Sequence, residues 1–499
     1  MEITMGIARF TVIGLLFLTI CSPGLLASGF ENTGLGTTAR GMGGAFRAIA
    51  NDWTAAYYNP AGYAFSLDNQ LGADLGLLHN RHELTPDYWF RDDVGNEYMS
   101  GIVNDVTLFN HHEILSNPTA GFMVRLPLWG ETVFGLSAYQ PFDYAISWKA
   151  YDPDAAGFYS YNDNASAALP DDQYRTDLDV VAFQLTAGRE FVPGKLALGV
   201  GLQLLRGDLI FNDLILRKNP LTGTAADRPR DRIPEFTNND GMGWGFGLNG
   251  GMLWKPTERL NVAVTARLPF DISIDGTTEL RFVLPENEQA KDEANPNSVD
   301  HFFLSGAVVS LEADMKTKLK LPPSLAIGFA YEVTEKLTVA MDVEYTLWSR
   351  YDGLDFTYSN FSIEEYSNNV YIDSTMDFFS ADLIRPADWN NAGKIMVGAS
   401  YDFREYLTFL GGVSADQSAI RDAVEFSPQF VDTGDKYCFS GGFVAHVDRW
   451  DLGLVTSYTN YPDHEPGLND VNNDDIFDSF PGEYKAAVYE TILSFNYRF

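Results

Sequence analysis

The chain has 499 residues and a formal net charge of −34, from 34 Lys and Arg against 68 Asp and Glu. So acidic a balance excludes nucleic acid as a partner, because affinity for a phosphate backbone rests on Lys and Arg. Two cysteines in the whole chain also exclude a fold stapled by several disulfides.

The first element is an apolar run, Phe10 to Ile20, of signal-peptide length and too short to cross a bilayer as a helix. Leu25-Leu26-Ala27 reads as an imperfect small-residue cleavage site. Residues 1–27 are therefore expected to be a signal peptide and Ser28 the first mature residue. A lipoprotein signal on Cys21 would need a small residue where Ile20 stands. After cleavage Cys438 is alone, so no intramolecular disulfide forms. No later run approaches the roughly 20 apolar residues of a membrane helix.

Residues 28–68 make the second element. From Gly29 to Gly62 the chain is rich in Gly and Ala and lacks alternation. Ala45 to Ala50 and Thr54 to Tyr58 suit short helices, with Asp52 placed to cap the second. Pro60 ends that helix and Asn59 begins a turn.

From residue 69 to 499 the pattern is alternation. Leu260, Val262, Val264, Ala266, Leu268, Phe270, Ile272 and Ile274 fall on one face. Leu337, Val339, Met341, Val343, Tyr345 and Leu347 fall on another, with Asp342 and Glu344 opposite. Leu311, Ala313, Met315, Leu319 and Leu321 continue into Ala326 to Val333 after a phase slip at Pro322-Pro323. About fourteen candidate strands follow, near 70–80, 120–129, 131–142, 176–191, 195–211, 241–254, 260–274, 309–333, 336–350, 393–403, 406–415, 436–447, 450–461 and 484–499. Short turns alternate with long loops near 81–119, 143–175, 212–240, 275–308, 351–392, 416–435 and 462–483. This describes an all-β protein: a transmembrane antiparallel β-barrel with both termini periplasmic and long loops outside, plugged at its N-terminus.

The last strand names the compartment. Tyr489, Thr491, Leu493, Phe495, Tyr497 and Phe499 share a largely apolar face, and Glu490, Ser494, Asn496 and Arg498 lie opposite. A terminal Phe499 after such a strand resembles the signal read by the bacterial barrel assembly machinery. The expected surroundings are outer-membrane lipid and lipopolysaccharide.

Gly29-Phe30, the glycines from Gly34 to Gly44 and Asn59-Pro60-Ala61 resemble the N-terminal hatch of the FadL/TodX family of outer-membrane transporters. The barrel resembles the same family at Leu321 to Tyr331, at Asp342 to Trp348, at Trp389 leading into Lys394 to Tyr401, and at Ser427-Pro428. The resemblance implies a channel for long-chain fatty acids or aromatic hydrocarbons, with Phe30 near a pocket and Asn59, Pro60 and Ala61 holding the hatch turn. It also implies lateral release through a gap near the third strand, around Gly135, and neither cofactor nor covalent chemistry.

Other motifs are weaker. Gly245-Phe-Gly-Leu-Asn-Gly250 matches a dinucleotide string, but it alternates as a strand and no helix follows. His111-His112-Glu113 and the Asp470, Asn472, Asp474 spacing are metal-ligand patterns, in loops where solvated side chains are the ordinary case. No metal site is assigned. No Gly-x-Ser-x-Gly elbow occurs, and no enzymatic activity is expected.

Apolar residues in long loops are the positive signal for a hydrophobic ligand. Phe211 and Leu214 enter the third loop, and Phe302, Phe303 and Leu304 close the fourth. Strand ends and an aromatic girdle would account for them equally. Arg217 and Lys218 are placed to meet a carboxylate head group. The leading expectation is passive uptake of hydrophobic molecules by pocket binding and hatch-gated release. The alternative is a barrel of the same fold serving as a protein-binding secretion accessory, like PorV.

Overall fold

The computed structural model describes residues 29–32, 34–91, 97–111, 114–126, 131–153, 169–218, 232–286, 299–363, 377–387, 389–420, 427–433, 435–467 and 479–499. The expected signal peptide, His112, Glu113, Asp470, Asn472 and Asp474 lie outside these residues.

Fourteen antiparallel strands pair in chain order: β1 (Gln70–Pro86), β2 (Ile114–Leu126), β3 (Thr132–Trp148), β4 (Tyr174–Val192), β5 (Leu196–Lys218), β6 (Arg232–Trp254), β7 (Leu260–Arg267 and Phe270–Val283), β8 (Val308–Leu321 and Ser324–Thr334), β9 (Leu337–Thr346 and Gly353–Ile363), β10 (Leu383–Pro386 and Ala392–Arg404), β11 (Leu407–Asp416), β12 (Lys436–Val447), β13 (Trp450–His464) and β14 (Gly482–Arg498). β1 closes the barrel on β14, from Gln70 opposite Arg498 to Pro86 opposite Gly482. Closure pairs the backbone groups that lipid cannot satisfy.

Alternation resolves into two environments. On β5, Leu198, Val200, Leu202 and Leu204 stand exposed, while Gln203 and Leu205 are buried. On β14, Tyr489, Leu493 and Phe495 face out, and Glu490, Ile492 and Ser494 face the lumen. An apolar exterior over a partly polar interior is the arrangement of a membrane-embedded wall.

β7, β8, β9 and β10 are each interrupted once, at Leu268-Pro269, Pro322-Pro323, the 3₁₀ turn Trp348–Arg350 with its flanks, and the stretch that holds Ala387 and Trp389. Because these strands are neighbours, the interruptions form one seam across the wall. Below the seam β8 turns Leu325, Ile327 and Phe329 outward. Above it β8 turns Glu312, Asp314, Lys316 and Lys318 outward and buries Leu311, Ala313, Met315 and Leu319. The seam therefore marks where the exterior changes from lipid to water.

The seam corrects two expectations. Phe270, Ile272 and Ile274 do not share a face with Val262 and Val264: they are buried, whereas Leu268 stands exposed, because Leu268-Pro269 turns the phase over. Much of the loops expected near 212–240, 275–308 and 351–392 is strand, since β5 runs to Lys218, β6 starts at Arg232, β7 runs to Val283, β8 starts at Val308 and β9 resumes at Gly353.

The N-terminal segment lies inside the barrel as α1 (Thr37–Gly41), α2 (Ala55–Tyr58) and a 3₁₀ turn, Pro60–Phe65. Residues 45–50 do not form the expected helix. The N–H groups of Phe46 and Arg47 donate to the carboxylate of Asp342 on β9, at 3.0 and 2.9 Å, leaving one turn closed by Ala50 N–H on Phe46 O. Asp52 accepts the Thr54 N–H at 2.9 Å just ahead of α2. Asn59 ends α2, and its Oδ1 accepts the Ala61 N–H at 3.1 Å.

Candidate functional site

The hatch is tied to the wall by buried charge pairs. Arg47 reaches Glu344 at 2.6 Å and Asp342 at 3.4 Å. Arg40 pairs with Glu490 on β14, and Arg267 on β7 reaches Glu31 at 2.6 Å. Losing one partner of such a pair strands a charge in the interior, at a cost of roughly 3–5 kcal/mol. Amide groups add to the tie: Asn59 Nδ2 donates to Arg47 O at 2.9 Å and to Met252 O at 3.3 Å, and Gln184 and Asn249 both donate to Ala56 O. Wall glycines allow the close approach. A side chain at Gly199 would collide with Pro60 and Ala61, one at Gly251 with Asn59, and one at Gly412 with Met42 and Gly43.

Above the hatch the chain builds a chamber walled by aromatic rings and a few polar groups around a cavity of about 60 Å³. Phe211 and Leu214 come from β5, Tyr351 follows the 3₁₀ turn of β9, Trp389 lies in the interruption of β10, and Phe430 sits in a short turn anchored by the Trp148 indole on Pro428 O at 2.8 Å. One ion pair lies among them: Arg385 Nε donates to Asp213 Oδ2 at 2.6 Å, and Gln429 Nε2 donates to Oδ1 at 2.8 Å. Burial pushes the Tyr88 phenol up, so it faces the chamber un-ionised.

Phe30 sits beneath this chamber. Its ring lies 5.1 Å from Trp348, 5.4 Å from Tyr351, 5.7 Å from Trp389 and 5.9 Å from Phe142. Phe211 to Phe430 is 6.2 Å, and Phe430 to Trp389 is 6.1 Å. A file of aromatic rings therefore runs Phe211, Phe430, Trp389, Phe30, Phe142. It ends at an irregularity of β3, where Gln140 and Pro141 together face Val181 alone, between Tyr139 opposite Ala182 and Phe142 opposite Val180. The first described residues of the hatch cover it. Asn32 N–H donates to Pro141 O at 3.0 Å, Asn32 Nδ2 donates to Gln140 O at 3.1 Å, and Glu31 bridges Phe142.

The other expected residues fall as follows. Pro60 and Ala61 are buried against β5. Gly135 lies in regular pairing, opposite Met123 on β2 and Thr186 on β4, with the Tyr63 ring against it. Phe302, Phe303 and Leu304 are buried in a separate cluster with Phe282 and Phe379, outside the one that holds Phe30, Phe211 and Leu214. Arg217 turns to Glu235 and lies over the Phe378 ring, and Lys218 is exposed at the end of β5. His111 is exposed with Asp172 3.5 Å away. As chamber residues, sequence reasoning missed Asp213, Arg385, Tyr351 and Phe430, and it quoted Trp348 and Trp389 only as part of the family resemblance. They come from β5, β9, β10 and the short turn Pro428–Thr433, so no single spacing links them.

Residues 19–499 match the family described as outer membrane protein transport protein (OMPP1/FadL/TodX). Outer membrane protein P1 of Haemophilus influenzae is 24% identical over 266 residues, covering 50% of this chain and 49% of that one. A putative outer membrane protein of Neisseria meningitidis is 22% identical over 237 residues, covering 48% and 46%. The chain thus spans about half the length of these relatives. Among solved structures, a Pseudomonas aeruginosa FadL homologue superposes with a TM-score of 0.69 at 17% identity, covering 94% of this chain and 99% of that one. The P. putida toluene transporter TodX gives 0.64 at 15%, with the same coverage.

Proposed function

This chain belongs to the OMPP1/FadL/TodX family of outer membrane transport proteins, whose members are channels rather than enzymes, and we propose that it takes hydrophobic small molecules from the cell surface through the chamber above its hatch. The observation that carries the reading is the aromatic file that joins Phe211 in the chamber to Phe30 in the hatch. A ligand that enters the chamber, whose cavity is only about 60 Å³, has to displace side chains. Freeing Phe30 costs roughly 2–3 kcal/mol of lost burial plus about 0.5–1.5 kcal/mol for each ring pair broken. An apolar ligand gains about 0.8 kcal/mol per buried CH₂. A ligand burying on the order of ten such groups offsets the displacement, and a small polar solute does not.

Moving residues 29–32 strips the Gln140 and Pro141 carbonyls of the partners that Asn32 supplies. That uncovers the irregular stretch of β3. On the outer wall just below, Ala138, Phe183, Leu204 and Phe246 line an open apolar depression of about 800 Å³. This supports lateral release into the membrane beside β3. The exposed Phe499 at the end of β14 supports recognition by the barrel assembly machinery.

The test is uptake of labelled oleate and labelled toluene by a Gram-negative strain lacking its own long-chain fatty-acid channel. The strain expresses the wild type or an Asn59→Ala, Pro60→Ala variant at matched surface level. Uptake of at least one probe with the wild type and altered uptake with the variant supports the channel. Uptake equal to the empty strain for both probes, with the barrel folded in the outer membrane, overturns it.

A further inference from the structure

We propose that Asp213 restricts the chamber to uncharged apolar ligands, an inference that rests on the chamber being the ligand site. Among the described residues, Asp213 and Arg385 are the only Asp, Glu, Lys or Arg lining it. Asp213 on β5 is almost wholly enclosed, with 1% of its side chain exposed. Its Oδ2 takes both Nε and Nη2 of Arg385, and its Oδ1 takes the Gln429 amide at 2.8 Å. The carboxylate thus occupies the Nε–Nη2 edge of the guanidinium, one of the two edges that a ligand carboxylate could use, and neutralises its charge.

An anionic ligand has two ways to seat, and both are costly. It can displace Asp213 from Arg385, which leaves a buried carboxylate with its cation shared. Otherwise it sits beside the intact pair as a second anion against a cation that Asp213 already neutralises. The nearby cations are committed elsewhere: Arg217 to Glu235, Arg232 to Leu216 O at 3.4 Å and to the Phe90 ring, and Arg267 to Glu31. The Tyr174 hydroxyl donates to Leu214 O at 3.0 Å. An uncharged ligand leaves every one of these contacts in place.

The experiment compares 1-dodecanol with dodecanoate, which share a chain and differ in charge. Binding to the full-length protein in nanodiscs is read by tryptophan fluorescence at about pH 8, where the carboxyl group is ionised. The wild type is expected to bind dodecanol at least about tenfold more tightly than dodecanoate, a difference of about 1.4 kcal/mol. In Asp213→Asn that ratio is expected to fall by about tenfold or to invert. Near pH 4, where the fatty acid becomes neutral, wild-type affinity for it is expected to approach that for dodecanol. Equal affinities in the wild type at about pH 8 overturn the inference while leaving the chamber as the ligand site. An unchanged ratio in folded Asp213→Asn does the same. Should that variant fail to fold, the wild-type pH series decides alone, and a pH-independent ratio overturns the proposal. No binding of either compound at any pH overturns the channel reading and the inference together.

Discussion

Arg47 in the hatch and Glu344 on β9 meet at 2.6 Å with both side chains buried. The guanidinium also lies 3.4 Å from Asp342, so one cation from the plug sits against two anions of the wall. Arg47→Met leaves both carboxylates in the lumen and costs roughly 3–5 kcal/mol of hatch docking. The expected outcome in a planar bilayer is frequent opening where the wild type is nearly closed. The double variant Arg47→Met, Glu344→Gln is expected to be quieter, because one stranded charge is gone.

Two adjacent glycines separate docking from strand tolerance. A side chain at Gly412 would collide with Met42 and Gly43 of the hatch, whereas nothing lies within 4 Å of a side chain at Gly411. Gly412→Val is expected to lift the hatch from β11 and expose it to protease in the purified barrel. Gly411→Val is expected to be cleaved no faster than the wild type. Equal resistance of both variants would mean that the hatch docks elsewhere.

The seam gives a stability contrast along one strand. Ile327 lies below it and Glu312 above it, and both are exposed on the outer face of β8. Ile327→Arg places a charge in hydrocarbon and is expected to cost about 2–4 kcal/mol. Glu312→Arg meets water and is expected to stay within about 0.5 kcal/mol. Urea unfolding of the barrel in liposomes measures both.

Asn59 holds its turn by three hydrogen bonds, to Arg47 O, Met252 O and the Ala61 N–H. At about 1 kcal/mol each, Asn59→Ala is expected to loosen the turn by roughly 2–3 kcal/mol. Exchange at the Ala61 amide is then expected to rise on the order of a hundredfold. An unchanged rate would show that packing against Gly199, not the amide, fixes the turn.

The barrel was legible because lipid and lumen impose opposite chemistry on alternate residues, and the phase slip at Pro322-Pro323 was visible for the same reason. The extracellular continuation of the strands was legible on β8, where Leu311, Ala313 and Met315 alternate, but not on β9. There the outer face is solvated, so Asp355 and Thr357 look like loop residues unless Leu354 and Phe356 between them are read as the inside of a wall. Phe211 and Leu214 stood out as apolar residues in an expected loop, whereas Phe30 was reached only through the family resemblance. Phe302 and Phe303 carried the same signal but pack in another cluster. The pair of Asp213 with Arg385 left no trace, because the two residues lie far apart in the chain and meet only when β5 and β10 face each other across the lumen.

The seam also fixes a height. Arg206 and Asp208 on β5 are already outside the apolar belt that ends at Leu204, and Phe211 and Leu214 lie further along the same strand. The chamber therefore stands clear of the bilayer, like a room on the storey above it. On the proposed route, a solute arriving from water would be enclosed by protein before it touches hydrocarbon, and its descent past Phe30 would be a passage between two sheltered places.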